Sequence, residues 1–422
     1  MPQSSHEPPD TGVGRRRAML SPDLLFSAAM HTTSRDGPAL ARAGAEALRR
    51  GDGRSARDLF TQAAAALPRD PAVLLGLAYA CRSQQDHEAA GAAADRVLAL
   101  DPRNVRGLVL KADSLGAVGD TKAAAAYYLA ALSAAPPADK LPADLAQELR
   151  RARSEAERLA RRYEEHLRSW LAERGFDTGQ GDSRFARSLD VLFGRKRIYV
   201  QEPRYYYFPE LPQKQFYDRA QFPWLDEVEA ATDVIRQELL GVLGDPQAFA
   251  PYVQGDANRP HQDQQGMLNN PDWSAFYLWR NGERVAGNAE RCPRTLEALA
   301  GAPLARIPNR SPSVLFSQLR PGAHIPPHNG MVNTRLICHL PLVVPGKCRF
   351  RVGNEVREWQ EGRAWVFDDS IDHEAWNDSD RTRVILLFDI DRPELDDEER
   401  RLVNAMFEGI DAYSGAKPDW DI

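Results

Sequence analysis

Two histidines and an arginine stand among short apolar runs near the end of the chain. His328 follows two prolines, His373 lies 45 positions later (373 − 328), and Arg383 lies inside the apolar run 382–390. Neutral imidazole is a good ligand for a divalent first-row metal. A guanidinium held in an apolar strand needs an anion beside it. These residues therefore predict a metal site together with a bound carboxylate.

The alternation of side chains along strands brings further residues to this predicted site. Successive residues of a strand point to opposite faces, so Arg335 and His339 share one face of the run 335–342. If the corresponding faces of all runs look into one barrel, then Ser317, His339 and Arg383 converge on a single cavity. Such a cavity suits a dicarboxylate, with Arg383 and the Ser317 hydroxyl at the distal carboxylate and His339 at the other.

Four longer motifs contain or flank these residues. They are DWSAFYLWRNGE at 272–283, FSQLRPGAHIPPHNG at 316–330, NTRLICHLPLVVP at 333–345 and FDDSIDHEAWN at 367–377. Their order resembles the aspartyl/asparaginyl β-hydroxylase family of iron(II)- and 2-oxoglutarate-dependent dioxygenases, over roughly residues 205–395, which is a domain-sized span. The resemblance implies a double-stranded β-helix of the jelly-roll or cupin type. It also implies a hydroxylation that consumes 2-oxoglutarate and O2 and releases succinate and CO2.

The resemblance assigns a role to each candidate residue. His328 and His373 match the iron ligands, and Ser317, His339 and Arg383 match positions that bind 2-oxoglutarate. Most such oxygenases carry an acidic third ligand two positions after the first histidine, where this chain has Gly330. The family as a group lacks that ligand, so its absence favours this family over other 2-oxoglutarate oxygenases.

Several of these roles have structural alternatives. Asp369, four residues before His373, is the candidate carboxylate that holds a water molecule beside the metal, but it could instead cap the turn before His373. Arg383 could form a structural ion pair with Asp369 or Asp389. His339 and Ser317 could simply satisfy neighbouring backbone groups.

One further arginine bears on the identity of the substrate. Arg335 matches a family arginine that grips the carboxylate or amide of the target residue, but Ile337 stands where vertebrate-type members carry a second arginine. The favoured substrate is a peptide or protein aspartyl or asparaginyl residue, or a small related acid. Hydroxylation of a lipid acyl chain or a small metabolite is the second hypothesis. The third is a repeat-based binding scaffold with an inert oxygenase domain.

The second half of the chain has the pattern of a β-rich domain. Beyond residue 313 the apolar runs are about six to nine residues long and are broken by Gly, Pro, Asn and Asp, which is typical of an all-β barrel or jelly roll. Apolar residues at helical spacing predict one helix over 225–243. We predict that residues 184–422 form the dioxygenase-like domain.

The first half of the chain carries an internal repeat. Pro68, Pro102 and Pro136 are separated by 34 (102 − 68) and 34 (136 − 102) positions, which is the tetratricopeptide period. Other positions keep the same register: Gly44, Ala78 and Ala112; Asp52, Asp86 and Asp120. The pattern predicts an α-solenoid over 38–137, with close helix contacts at the small residues and turns at the aspartates. A helical segment over 138–174 is expected to cap it.

The remaining segments complete the predicted domain organisation. Residues 1–37 are expected to be a disordered leader, and residues 175–183 have the glycine-rich, polar composition of a linker. A tetratricopeptide array is a peptide-binding surface, so it predicts a protein partner without naming one. Packing on the catalytic domain or dimerisation is the alternative use of the repeats.

Charge and cysteine content disfavour several classes of protein. The formal net charge is −6, whereas a nucleic-acid-binding surface would need clustered Lys and Arg. No run of about 18 apolar residues could span a bilayer, so neither nucleic acid nor membrane is an expected partner. Cys81, Cys292, Cys338 and Cys348 form no CxxC pair, which predicts a reduced, cytoplasmic protein. Cys338 and Cys348 could meet on paired strands, but free thiols are expected.

Overall fold

The chain divides into two compact units, with the boundary between residues 181 and 182. A computed structural model describes residues 36–175, 183–245, 247–255 and 266–414. The predicted leader 1–37 lies outside the described residues except for its last two positions, and the predicted linker 175–183 lies outside them except for its two ends.

Paired helices build the first unit. Within residues 36–175 the helices are α1 Gly37–Arg49, α2 Gly53–Ala66, α3 Pro71–Ser83, α4 His87–Leu100, α5 Val105–Ala117, α6 Thr121–Ala134 and α7 Ala143–Ala172. Asp52, Asp86 and Asp120 cap α2, α4 and α6, because each carboxylate accepts a hydrogen bond from the backbone N–H three residues further on. The 34-residue register therefore predicted both the helical pairs and the turns within them.

Small residues let neighbouring helices approach closely, as the register also predicted. A Cβ atom on Gly44 would lie 2.9 Å from the ring of Phe60, and one on Gly76 would lie 2.2 Å from the same ring. The Phe60 side chain is buried. The packing of α1, α2 and α3 around this ring therefore depends on the missing side chains of the two glycines.

Helix α7 lies within the predicted capping segment and is tied to the repeats by charged side chains. Glu148 accepts a hydrogen bond from the Tyr79 hydroxyl at 2.9 Å and pairs with Arg106 at 3.2 Å. Arg151 forms a two-point ion pair with Asp113 at 2.9 and 2.8 Å. Because these partners belong to α3 and α5, α7 contacts the first helices of the second and third pairs.

Two antiparallel sheets form the centre of the second unit. Its strands are β1 Ala250–Pro251, β2 Trp273–Arg280, β3 Glu283–Arg284, β4 Val314–Leu319, β5 His324–His328, β6 Arg335–Val343, β7 Cys348–Val352, β8 Glu355–Glu358, β9 Trp365–Phe367, β10 His373–Asn377 and β11 Arg383–Asp391. Among the described residues, a seven-stranded sheet has the order β1-β2-β4-β11-β6-β9, with β3 paired to β2, and a four-stranded sheet has the order β5-β10-β7-β8. A β-rich domain thus follows the helical repeats, as predicted.

The described residues of the second unit also form α-helices. They are α8 Arg184–Leu192, α9 Leu225–Ala230, α10 Thr232–Leu243, α11 Ala286–Arg291, α12 Pro293–Ala298 and α13 Asp397–Ser414. The single helix predicted over 225–243 is thus two helices that meet at Ala231. The Thr232 hydroxyl donates to the Glu229 carbonyl at 2.6 Å, so a side chain satisfies a backbone acceptor at the break. Among the described residues, none of the helices combines the length and the apolar character that crossing a bilayer requires.

Residues of β6 and β11 alternate between two apolar layers. Leu340 of β6 and Leu386 of β11 pack in one core with Ile235 of α10. The intervening residues Ile337 and Ile385 lie in a second core, together with side chains of the four-stranded sheet. The second core therefore lies between the two sheets, and the strand faces predicted to carry the site look into that space.

The cysteines form no disulfide in the described part of the chain. All of Cys81, Cys292, Cys338 and Cys348 are free and buried, as expected from their spacing. Cys338 lies in β6 and Cys348 in β7, which belong to different sheets. Strand pairing therefore does not bring these two thiols together.

A fully buried ion pair ties the end of β11 to the turn before β10. Arg392 donates to Asp368 at 2.7 Å, and neither side chain is exposed. The Gln201 amide donates to the same carboxylate at 2.7 Å, and Asp368 also accepts from the backbone N–H of Ser370 at 3.0 Å. This network holds the short turn that leads to His373.

Arg392→Met is expected to lower the free energy of unfolding by about 3–5 kcal/mol, because it leaves the Asp368 carboxylate buried without its counter-charge. Urea unfolding followed by circular dichroism measures the loss. Arg401→Met is the matched control, since Arg401 and Glu398 are 66% and 62% exposed and such exposed pairs contribute little measurable stability. Similar losses for the two variants would contradict the structural role of the buried pair.

Candidate active site

A cavity between the two sheets gathers all of the residues that the sequence analysis proposed for the site. These lining residues are Ser317, His328, Arg335, His339, Asp369, His373 and Arg383. The seven-stranded sheet supplies the side chains from β4, β6 and β11, whereas β5, β10 and the turn before β10 supply the others. The alternation of side chains along each strand therefore predicted correctly which faces meet.

A larger cleft, about 740 Å³ in volume, lies elsewhere in the same unit. Apolar side chains such as Leu296, Leu304 and Val403 form much of its wall, and the described residues that line it include no histidine. The chemistry predicted from the sequence therefore belongs to the cavity between the sheets.

His328 and His373 face each other from neighbouring strands. They are direct partners in the antiparallel pairing of β5 with β10, and their ring centroids lie 4.1 Å apart. Nδ1 of His328 bonds the Pro326 carbonyl at 2.8 Å, and Nδ1 of His373 bonds the Ile371 carbonyl at 3.0 Å. Since a carbonyl only accepts, each Nδ1 carries the proton and each Nε2 keeps its lone pair.

Burial keeps both imidazoles neutral. Desolvation lowers the pKa of His328, and desolvation together with the neighbouring His328 lowers the pKa of His373 well below its ordinary value. No described residue hydrogen-bonds to Nε2 of either ring. The rings are therefore oriented as a pair of neutral nitrogen ligands.

The two histidines fit a divalent first-row metal that is held by few protein ligands. Among the described residues, no group of three or more histidine, cysteine, aspartate or glutamate side chains is arranged to hold a metal ion. The Asn329 amide, next to His328, donates instead to the Ser370 carbonyl at 2.9 Å. This hydrogen bond connects the loop after His328 to the turn before His373. A metal ion bound by His328 and His373 would take its other ligands from small molecules.

Arg383 is a buried cation that finds no carboxylate among the described residues. Its side chain is 1% exposed, one terminal nitrogen donates to the Ser317 carbonyl at 3.2 Å, and its Nε has no partner in the described part of the chain. Asp369 and Asp389, the candidates for a structural ion pair, lie instead against Arg335, at 3.0 and 3.8 Å. Desolvation lowers the pKa of Arg383 to about 10, as expected of a guanidinium without a counter-ion.

His339 and Ser317 lie beside Arg383 in the cavity wall. Nδ1 of His339 has no partner among the described residues, and burial together with the Arg383 charge lowers its pKa well below the ordinary value. The Ser317 hydroxyl accepts a hydrogen bond from Nε1 of Trp273 at 3.3 Å. Neither side chain bonds a backbone group of the described residues, so neither has the purely structural role that was the alternative.

The turn before His373 is capped by Asp368 rather than by Asp369. Oδ2 of Asp369 accepts from Arg335 at 3.0 Å, whereas its Oδ1 has no partner in the described part of the chain. A Cβ atom on Gly330 would lie 2.1 Å from Oδ2, so a glycine two positions after His328 makes room for this carboxylate. Asp369 therefore lies beside the His328 loop with one oxygen able to accept from a ligand or water.

Asp369→Asn is expected to change how the stability of the metal-free protein depends on pH. Burial raises the pKa of Asp369 to about 6, although the Arg335 charge opposes the rise. The protonated form therefore contributes stability that is fully present below about pH 4 and is lost as the pH rises through about 6. Urea unfolding at a series of pH values should give a flatter profile for the variant over this interval.

Asp378→Asn is the control for that measurement, because the Asp378 side chain is 50% exposed and pairs at the surface with Arg349. Its profile is expected to run parallel to that of the wild type between about pH 4 and about pH 6. A parallel profile for Asp369→Asn as well would show that Asp369 does not titrate in this interval.

Aromatic residues that the sequence analysis did not assign complete the cavity wall. The ring of Trp273 stacks on Tyr252, with centroids 4.1 Å apart, and lies 5.7 Å from the ring of His328. The ring of Trp359 lies against Arg383, whose Cζ is 4.5 Å from the ring centroid. No periodic signal marks Trp359, because it follows β8 outside the alternating runs.

Asp389 is a further residue of the cavity, although the sequence motifs assign it no site role. It accepts from the Ser311 hydroxyl at 2.6 Å and from the backbone N–H of Ser313 at 3.1 Å, and it faces Arg335. The two-residue period of the strand could have identified Asp389 as a cavity residue, because it shares the face of β11 that carries Arg383.

Comparisons with known proteins agree with this division of the chain. A family model described as aspartyl/asparaginyl beta-hydroxylase matches residues 229–393, and one described as tetratricopeptide repeat matches residues 47–113. An ornithine lipid ester-linked acyl 2-hydroxylase of Rhizobium tropici is 37% identical over 189 residues, which are 44% of this chain and 63% of that protein. The human aspartyl/asparaginyl beta-hydroxylase is 36% identical over 145 residues, which are 34% of this chain and 19% of that protein. The match spans less than two thirds of each relative.

Among solved structures, the Sgt2 TPR domain from Aspergillus fumigatus aligns with 32% of this chain and 83% of that chain, at 24% identity and a TM-score of 0.27.

The range 229–393, which the aspartyl/asparaginyl beta-hydroxylase family model matches, contains every cavity residue that the sequence motifs predicted. Residues 229–393 therefore form a domain of the aspartyl/asparaginyl β-hydroxylase family, which this chain joins to tetratricopeptide repeats.

Proposed function

We propose that this chain is an iron(II)- and 2-oxoglutarate-dependent dioxygenase that hydroxylates an aspartyl or asparaginyl residue, or a related acidic substrate. The observation that supports this function most strongly is the position of Arg383. It is a buried cation without a carboxylate among the described residues, and it shares a cavity with His328 and His373. A 2-keto diacid meets both needs, because one end can chelate a metal while the other neutralises the guanidinium.

Each residue of the cavity has a defined task in this proposal. His328 and His373 would hold iron(II), which when bound supplies the activation of O2 that is coupled to decarboxylation of 2-oxoglutarate to succinate and CO2. Arg383 and the Ser317 hydroxyl bind the distal carboxylate, and neutral His339 contacts the other end of the cosubstrate. Apolar side chains of the second core surround the cavity and exclude water from it.

Asp369 and Arg335 act together in this proposal. The Arg335 guanidinium fixes Oδ2 of Asp369 at 3.0 Å, which leaves Oδ1 to accept a hydrogen bond from water or substrate beside the histidine pair. The family resemblance predicts that Arg335 binds the carboxylate or amide of the target residue. Arg335 can bind the substrate only through guanidinium N–H groups that do not already donate to Asp369, because Asp369 and Asp389 both lie against its side chain.

Hydroxylation of a lipid acyl chain is the second candidate function, and the surroundings of Arg335 favour it. A substrate carboxylate approaching Arg335 would also meet the charges of Asp369 and Asp389, which repel it. Tyr252, Met331 and Leu387 line the same cavity and suit an apolar chain. The Rhizobium tropici relative is named as an acyl 2-hydroxylase.

We also propose a fold and partners for the chain. Two antiparallel sheets with the histidine pair between them support a double-stranded β-helix of the jelly-roll type. The tetratricopeptide match supports a protein partner bound through the repeats.

The negative net charge supports a protein that does not bind nucleic acid. We also propose a cytoplasmic location without a membrane partner.

Turnover of 2-oxoglutarate by the purified full chain tests the proposed function. We expect succinate to form with iron(II), O2 and 2-oxoglutarate when a pool of aspartyl and asparaginyl peptides or a pool of acyl lipids is added. Mass spectrometry then identifies the pool that gains one oxygen atom. Oxygen gained only by the lipids would replace the first substrate class by the second. Absence of both succinate formation and 2-oxoglutarate binding would overturn the dioxygenase proposal.

A further inference from the structure

Trp359 places a polar group in the cavity wall that has no role in the function proposed so far. Its side chain is 4% exposed, and its indole Nε1 has no hydrogen-bond partner among the described residues. It lines the cavity together with Arg383 and His339. A buried N–H group without an acceptor is destabilising, so a native protein normally provides one.

Neighbouring rings hold the indole in place. Its centroid lies 5.4 Å from that of Phe350 in a stacked arrangement, and 6.1 Å from that of His339. The Arg383 guanidinium packs against the same indole at 4.5 Å. Because the ring is packed on several sides, it cannot turn its N–H group to solvent without disrupting the second core.

Three nitrogen atoms without partners therefore lie along one part of the cavity. They are Nε of Arg383, Nδ1 of His339 and Nε1 of Trp359, each buried and each without a hydrogen bond to the described residues. The first and the third can only donate. A carboxylate has several acceptor positions and can satisfy donors from more than one side chain at once.

We infer that the Nε1–H group of Trp359 donates a hydrogen bond to the distal carboxylate of 2-oxoglutarate, beside Arg383 and Ser317. This inference rests on the proposed function and assigns a further cosubstrate-binding residue to it. The indole ring also shields the guanidinium face from water, which strengthens the pairing of Arg383 with the carboxylate.

Trp359→Phe tests the inference, because phenylalanine keeps an aromatic ring in the stack but lacks the N–H donor. Calorimetric titration of 2-oxoglutarate into the full chain loaded with Mn(II), without O2, is expected to give a dissociation constant raised about 10-fold or more. With iron(II) and O2, the KM for 2-oxoglutarate should rise similarly, while kcat at saturating 2-oxoglutarate stays within about 2-fold.

Trp365→Phe is the matched control. Its indole nitrogen is also buried without a partner among the described residues, and its ring lies 6.0 Å from that of Trp359. Trp365 does not belong to the described residues that line the cavity. Its replacement should therefore leave the affinity for 2-oxoglutarate within about 2-fold of the wild-type value.

Titration with 2-oxopentanoate, which has the same chain length but no distal carboxylate, separates the hydrogen bond from a general packing effect. The loss of affinity caused by Trp359→Phe should disappear with this ligand, as in a double-mutant cycle. An equal loss with both ligands, or no loss with 2-oxoglutarate, would overturn the role of Trp359 and leave the proposed function standing. Failure of the Mn(II)-loaded wild type to bind 2-oxoglutarate would overturn both.

A crystal structure of the wild-type chain with Mn(II) and 2-oxoglutarate tests the inference even if Trp359→Phe fails to fold. We expect Nε1 of Trp359 within about 3.2 Å of a distal carboxylate oxygen. A separation beyond about 4 Å without a bridging water would overturn the assignment.

Discussion

His373→Ala is expected to abolish both Mn(II) binding and succinate formation. The variant removes one of two neutral imidazoles whose ring centroids are 4.1 Å apart, and no group of three or more potential metal ligands among the described residues could replace the pair. Loss of a residue that merely supports a metal ligand typically lowers metal affinity by about 10–100-fold, so loss of a ligand should exceed this range. Metal binding is measured by calorimetry and succinate by mass spectrometry.

His324→Ala is the control for this experiment. His324 lies on β5 like His328, but it pairs with Glu374 at 2.9 Å, and its side chain is 43% exposed. It does not belong to the described residues of the cavity wall, so the control should keep wild-type metal affinity. Succinate formation by His373→Ala at the wild-type rate would exclude the histidine pair as the metal site.

Arg383→Met is expected to weaken 2-oxoglutarate binding by about 100-fold or more, because it removes the charge that pairs with the distal carboxylate. The ligand-free variant should nevertheless be no less stable than the wild type. Desolvation lowers the pKa of Arg383 from its ordinary value to about 10, which corresponds to a penalty on the order of 3 kcal/mol for the charged form at neutral pH. Methionine removes that penalty and still fills the apolar space.

Thermal unfolding with and without Mn(II) and 2-oxoglutarate measures both effects of Arg383→Met. The wild type should be stabilised by the ligands through mass action, whereas the variant should not respond to 2-oxoglutarate. Arg335→Met is the contrasting variant, since it leaves Asp369 and Asp389 buried without their cation. It should lower the stability of the ligand-free protein by about 3–5 kcal/mol. A large loss of stability in ligand-free Arg383→Met would show that Arg383 has a structural counter-charge.

Local periodicity predicted much of this architecture. The 34-residue register predicted helical pairs with aspartate at their turns, because a carboxylate at a helix N-terminus satisfies backbone N–H groups wherever the rest of the chain lies. The period of two along β6 and β11 predicted that His339 and Arg383 share a cavity, because a strand with an apolar layer on each face leaves its side chains no other orientation. The assignment of these residues to 2-oxoglutarate stays a prediction.

Other features depend on contacts between distant segments, which no local pattern contains. Whether Asp368 or Asp369 caps the turn before His373 is decided by Arg392 and Gln201, which fix Asp368 from other segments. Among the described residues Arg383 has no carboxylate partner, because Asp369 and Asp389, the candidate partners, lie against Arg335 instead. The break at Ala231 was missed because the apolar spacing continues through it, whereas the hydrogen bond of Thr232 marks it in the structure.

The amino-acid sequence by itself determined the order of repeats and β-domain, the strand faces and the identity of the residues that could bind a metal and a dicarboxylate. These properties follow from short-range sterics and from the chemistry of single side chains. Tertiary structure alone decided which charges neutralise one another, and it alone placed the Trp359 indole against the Arg383 guanidinium. Each polar group in a buried cavity needs a partner within hydrogen-bonding distance. Which residues come within that distance of one another depends on how the two sheets pack, and the strands of these sheets are far apart in the chain.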